Sequence, residues 1–269
     1  MNLSRLYRLV VVLLLLGLSA CATSPTGRKQ LMLVSEEQAI NASKGAYVEM
    51  LEPYEQEGKL DNDPLLKQRV DRITGRLIAQ AVEMRPETRD WAWSMKILDD
   101  PETVNAWAMA GGKMALYTGL VEQVKPTDDE LAQVLAHEIS HALAKHSAEK
   151  MSVALASQIG IIAVAASTDN RAALAGSLLA AKLAIDLPNS RTAEAEADRI
   201  GIELAAKAGY DPRAAVTLWQ KMGAVSGQRV PQFLSTHPSP ENRAETLGRL
   251  ADKMMPFYLA PGERPVFSF

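Results

Sequence analysis

Apolar side chains at Leu131, Val134, Leu135, Ile139, Ala142 and Leu143 recur three and four positions apart, the spacing of one buried helix face. Thr127 with Glu130 forms a capping box, and Asp128 and Asp129 load the first turn with negative charge, so this helix begins at about residue 128. Earlier in the chain, Ser35 and Gln38 form a second capping box and predict a helix over about 36–51, which should stop before Pro53. Asp63 and Pro64 open a third helix, with Leu66, Val70, Ile73 and Leu77 on one stripe and an end near Pro86. The period then changes to two: Trp91, Trp93, Met95 and Ile97 alternate as a strand packed on a core does. Gly111-Gly112, between two β-prone runs, predicts a hairpin. Ser190 to Gly209 is helical again, with Gly209 as its stop and Asp211-Pro212 starting the next helix. The expected class is α+β: one mostly helical domain with a small antiparallel sheet beside the helix that starts at 128.

Two apolar stretches fit neither pattern. Residues 10–18 follow Arg5 and Arg8 and run into Leu18-Ser19-Ala20-Cys21, the layout of a secretory signal with a short apolar run. Leu18–Cys21 resembles the bacterial lipobox, which makes Cys21 the lipidated first residue of the mature chain; an uncleaved membrane anchor is the competing reading. Residues 1–20 are then a lipoprotein signal peptide, 21–34 the lipidated cysteine and a polar tether, and 35–269 one domain. The second stretch, 151–186, is interrupted by Ser152, Ser157, Gln158 and Gly160 and reads as a helical hairpin or lid that touches the membrane surface.

Composition changes this picture little. The chain has 269 residues, 47% of them apolar and 23% charged, enough for one sizeable core. Loss of residues 1–20 removes Arg5 and Arg8 and no acid, so the net charge moves from −3 to −5. Such mild acidity gives no reason to expect nucleic acid as a partner. Cys21 is the one cysteine, so no disulfide stabilises the fold.

The chemistry lies in His137-Glu138-Ile139-Ser140-His141. Histidines four apart share a helix face, and their imidazoles converge on one point as zinc ligands, with Glu138 placed as general base. Glu194 and Asp198 are also four apart; Glu194 can be the third ligand and Asp198 can hold the other ring nitrogen of a ligand histidine. Glu196 points largely away from that face. Counted along one continuous helix, His146 falls half a turn out of phase with His137, which makes it a surface residue or a supporting one. His237 precedes Ser239 and Pro240, a helix start that pins it on a loop, from which it can swing in as a fourth ligand or stand back. One Zn2+ per chain is expected.

HEISHALAKH, SRTAEAEADRIG and STHPSPENR together resemble the HtpX-like and CAAX-prenyl-protease-like zinc peptidases of the gluzincin type, and within them the periplasmic quality-control branch of the BepA and LoiP kind. The resemblance implies a zincin-like fold, His137, His141 and Glu194 as ligands, Glu138 as base, and Asn105 and Ala106 on an edge strand that holds substrate backbone. It also implies that His237 plugs the metal site as a regulatory fourth ligand. Arg191, Arg243 and His237 are candidates for stabilising the transition state, each with a plainer reading as a helix-end or surface group. The expected function is a zinc endopeptidase that degrades misfolded or misassembled envelope proteins as an outer-membrane lipoprotein facing the periplasm. A chaperone or assembly factor with minor proteolysis is the alternative, and a purely structural zinc lipoprotein a third class.

Overall fold

A computed structural model describes residues 21–167, 190–225, 231–237 and 242–269. The chain divides into two compact units, one of residues 1–39 and 147–187 and the other of residues 40–146 and 188–269.

In the first unit, β1 (Cys21–Thr23) and β2 (Lys29–Leu31) pair antiparallel, so the expected polar tether is a hairpin. Its partner is charge: Arg28 donates to both oxygens of Glu149 at 2.7 and 2.6 Å, and Gln30 adds a third hydrogen bond at 2.9 Å. The proposed hairpin or lid over 151–186 is described only in its first part, which belongs to one helix, His146–Ser167; the rest lies outside the described residues, as does the signal segment 1–20. Among the described residues no helix is long and apolar enough to cross a membrane.

The second unit carries the core. The Ser35/Gln38 capping box opens α1 (Glu36–Gln56), but the helix runs through Pro53 instead of stopping before it. A proline inside a helix costs about 3 kcal/mol. Tyr47 and Leu51 before it and Tyr54 after it pack in one cluster with Leu98 and Ala115, and burial on both sides of Pro53 offsets that cost. The helix α2 (Pro64–Met84) begins as the sequence predicts, with Asp63 accepting from the backbone of Leu65 and Leu66.

A 3-10 turn (Pro86–Asp90) follows, and the alternating stretch becomes strand only at β3 (Ser94–Leu98). Trp91 and Trp93 remain outside it because Trp93 Nε1 donates back to the Thr88 carbonyl at 2.9 Å. The hairpin forms between β4 (Ala106–Met109) and β5 (Lys113–Tyr117), with Gly111 and Gly112 at φ 79° and 76°. The Trp93 ring leaves no room for a Cβ at Gly112, so that position needs glycine twice over. The order is β3-β5-β4; β4–β5 is antiparallel and β3–β5 parallel, so the sheet is mixed and β4 is an edge.

After α3 (Thr118–Val124), the Thr127/Glu130 capping box opens α4 (Asp128–Leu143), buried along nearly its whole length. Then come α5 (His146–Ser167), α6 (Arg191–Lys207), α7 (Ala214–Val225), the short α8 (Gln232–Thr236) and α9 (Arg243–Tyr258). Leu131, Leu135 and Ile139 of α4 share one apolar core with Val70, Ile73 and Leu77 of α2, Met95 and Ile97 of β3, and Ile200 and Leu204 of α6. The crossing of α4 and α6 is close because of Gly201: a Cβ there would sit 3.0 Å from the His137 backbone. That approach sets the acidic turns of α6 against the histidines of α4.

Candidate metal centre

His137 and His141 project from α4 with their Nε2 atoms 3.1 Å apart. Glu194 comes from the first turn of α6, where Ser190 caps the helix by accepting from Ala193 N–H at 3.1 Å. Its Oε2 lies 3.2 Å from His137 Nε2 and its Oε1 3.4 Å from His141 Nε2. His237 completes the group, with Nδ1 3.1 Å from Glu194 Oε1 and 3.3 Å from His137 Nε2. One donor atom from each of the four lies within 4.8 Å of all the others, and all four side chains are buried. Three imidazole nitrogens and a carboxylate aimed at one point are a donor set that a divalent cation satisfies together. Two histidines and a glutamate are a ligand set of zinc peptidases.

Asp198 Oδ1 lies 3.1 Å from His137 Nδ1, off the line of an ideal hydrogen bond. Arg243 donates to Asp198 at 2.6 Å, approaches Glu194 to 3.7 Å, and stacks over Trp219 at 3.5 Å. Arg243 is therefore buried against the two carboxylates, and among the described residues its Nε and Nη1 have no hydrogen-bond partner. Arg191, by contrast, is exposed at the start of α6. Glu138 faces β4, where Ala108 N–H donates to its Oε2 at 3.2 Å, and its Oε1 lies 3.4 Å from His237 Nε2. Asn105, just before the edge strand, is buried with its Oδ1 unpartnered among the described residues, and Ala106 opens the strand opposite Leu116.

Charges follow from these contacts. Burial alone would lower the His137 pKa, but Asp198 and Glu194 outweigh it and raise it to about 9. For His141 burial wins, aided by the charge on His137, and holds its pKa well below the ordinary value. Burial pushes Glu194 and Asp198 upward; His137 and His237 overcome this for Glu194, His137 and Arg243 for Asp198, and both stay below the usual range. Glu138 moves the other way, raised by burial against the pull of His237 and His137.

These geometric relations meet a sequence finding: the profile of peptidase family M48 matches residues 64–251. The chain belongs to peptidase family M48. The matched span holds α4, β4, α6 and His237, so every group of the cluster falls inside the M48 region. The mitochondrial metalloendopeptidase OMA1 of Bos taurus is 36% identical over 238 residues, 84% of this chain and 45% of its own length. Its namesake in Schizosaccharomyces pombe is 40% identical over 176 residues, 65% of this chain and 50% of its own length. The beta-barrel assembly-enhancing protease of Escherichia coli K12 is 31% identical over 215 residues, 76% of this chain and 42% of its own length. The chain thus spans about half the length of the curated relatives it matches. Zinc is the metal of M48 metallopeptidases, and the four-residue cluster fits it.

Two sequence expectations need correction. The surface reading of His146 is overturned and the supporting one kept open: α4 stops at Leu143, the chain turns, and His146 is buried beside His141. Glu196 is outside the four-residue cluster, away from the Glu194 face, and is buried against His146. His237 is not on a plain loop: it closes α8, its N–H bonded to Phe233 O at 2.9 Å and its ring stacked on Phe233 at 4.4 Å. The Ser239 and Pro240 start signal lies outside the described residues. Phe233, Trp219, Gly201 and the Ala108 N–H went unread in the sequence. Phe233 had a signal, its place four residues before His237, and Glu196 had one too, an acid in the apolar stripe of Ala193, Ala197 and Ile200.

Proposed function

We propose that this chain is a zinc endopeptidase acting on misfolded or misassembled proteins of the bacterial cell envelope. The observation that carries the reading is the convergence of His137, His141 and Glu194 next to Glu138, with the carboxylate of Glu138 facing an edge strand. In this reading His137, His141 and Glu194 hold the metal and Asp198 steadies His137. A bound zinc supplies Lewis-acid chemistry, polarising a peptide carbonyl and making a water acidic near neutrality. Glu138 accepts the proton of the attacking water and hands it to the leaving amine; a carboxyl raised by burial is suited to both transfers. Ala108 N–H aims that carboxylate. The edge of β4, entered through Asn105 and Ala106, takes an extended peptide by strand addition. His237 acts as a regulatory fourth ligand that closes the site at rest, and it or Arg243, which keeps unused donors, stabilises the oxyanion once the site opens. Casein cleavage by the chain, beside a chelated sample and Glu138→Gln, tests this: both controls should lose activity, and persistent cleavage would sink the reading.

The position of His237 favours a second reading, a chaperone or assembly factor in which hydrolysis is minor, since a capped site is idle. Glu138→Gln would leave that function intact.

We place the protein in the HtpX-like and CAAX-protease-like group, in the BepA and LoiP branch, and on the periplasmic face of the outer membrane, anchored by lipid on Cys21. Support comes from Leu18–Cys21 and from the similarity to the Escherichia coli protease; the similarity to mitochondrial enzymes is of the same order. Fractionation of Cys21→Ser, which should leave the membrane with catalysis intact, checks the anchor.

A further inference from the structure

The helix α4 ends at Leu143, and Lys145 adopts φ 59°, a left-handed conformation rare for a residue with a side chain. This turn starts α5 at His146 and returns its ring to His141, Nδ1 to Nδ1 at 2.8 Å. On its other side, His146 Nε2 lies 3.2 Å from Glu196 Oε2, two residues and about half a turn of α6 beyond the Glu194 position. His141, His146 and Glu196 are only 4%, 4% and 5% exposed. Burying an imidazole and a carboxylate is unfavourable unless each finds a partner, and here the partners form a line that ends on a residue of the metal cluster.

The geometry points to His146 and Glu196 as a positioning pair that fixes the tautomer and ring orientation of His141. The inference rests on the zinc-peptidase reading, because it takes His141 Nε2 as a ligand atom. That atom must then be an acceptor, which puts the ring proton on Nδ1. With one proton on each ring, a single assignment makes both contacts hydrogen bonds: His141 Nδ1–H donates to His146 Nδ1, and His146 Nε2–H donates to Glu196 Oε2. His146 is thereby a neutral link and not a ligand, since it meets His141 on the ring nitrogen opposite the cluster. The two ligand histidines are held differently: a carboxylate reaches His137 directly, whereas a histidine stands between His141 and its carboxylate.

Zinc affinity, measured by competition with a chromophoric chelator, tests this together with thermal unfolding of metal-free and zinc-loaded protein. His146→Ala and Glu196→Leu should each lower affinity about 10–100-fold, the range for losing a support of a ligand histidine. The double variant should be no worse than the worse single one. Glu196→Gln should recover most of the affinity, because its amide oxygen still accepts from His146 Nε2–H, while Glu196→Leu keeps the volume and loses the acceptor. The rise in Tm on adding zinc should shrink in the same order. A Tm lowered in both metal-free and zinc-loaded forms with wild-type zinc affinity would overturn the proposal and leave the pair structural, as would equal affinities for Glu196→Gln and Glu196→Leu. His141→Ala is the control: if it binds zinc as the wild type does, the ligand reading itself fails and the relay with it.

Discussion

The three ligand candidates on long helices and the fourth on a short one are held in different ways. His137, His141 and Glu194 stand on α4 and α6, which pack along their length and touch backbone to backbone at Gly201. His237 stands at the end of α8, five residues long, secured by the buried Phe233 ring and by Phe233 N–H donating to Val104 O at 3.1 Å. Moving the first set means separating two core helices, and moving His237 means turning one side chain or releasing one turn. The proposed closed site that opens would need this division, three fixed groups and one that can leave, and the difference in packing is consistent with it.

The largest effect should come from breaking the rigid side. Glu194→Ala removes a ligand and leaves Arg243 and His137 facing each other, so zinc affinity should fall by more than the ~100-fold typical of losing a supporting residue, with activity falling alongside. Retained zinc, read by competition against a chelator, would show that Glu194 is no ligand.

Next in size is Gly201→Ala, whose new methyl would press on the His137 backbone from 3.0 Å. A clash of this kind in a packed interface costs about 1–3 kcal/mol. We expect a lower Tm together with weaker zinc binding, because the helix that is pushed away carries Glu194 and Asp198. Loss of stability alone, with metal affinity intact, would mean that the α4–α6 crossing does not set the site.

A third test uses pH on metal-free protein. The folded-state pKa of His137 is raised from 6.5 to about 9, so the stability its protonated form contributes is complete below pH 6.5 and is lost as pH rises to about 9. Chelator-treated protein should therefore lose Tm across that window, and zinc-loaded protein should not, because the metal takes the place of the proton. A metal-free Tm that rises from pH 6.5 to 9 would contradict the assigned contacts with Asp198 and Glu194.

The smallest effect should come from the removable side. His237→Ala should raise basal casein cleavage several-fold or less, as removing a cap does when the competent state is already populated. A fall to the level of Glu138→Gln would instead make His237 a catalytic residue.

Much of this molecule was legible in its sequence because the signals were local. The Thr127/Glu130 box, the Asp63-Pro64 start, the glycine pair of the hairpin and the Gly209 stop each act within a few residues, where backbone geometry and hydrogen-bond needs are set by neighbours in the chain. The four-residue spacings of His137 with His141 and of Glu194 with Asp198 belong to the same class, since a regular helix fixes which side chains share a face. Tertiary structure decided what depends on distant groups or on where a helix stops. Burial around Pro53 carried α1 past a residue that ends helices in isolation, and the parallel pairing of β3 with β5 joined strands that have β4 between them in the chain. His146 escaped helical counting because Lys145 breaks the helix, and the partner of Glu196 was set by laying α6 against His146. The sequence by itself determined which groups carry the chemistry, because spacing along a helix is a local property; only the packing of α4, α6 and α8 decided how they are held, because contact between helices is not.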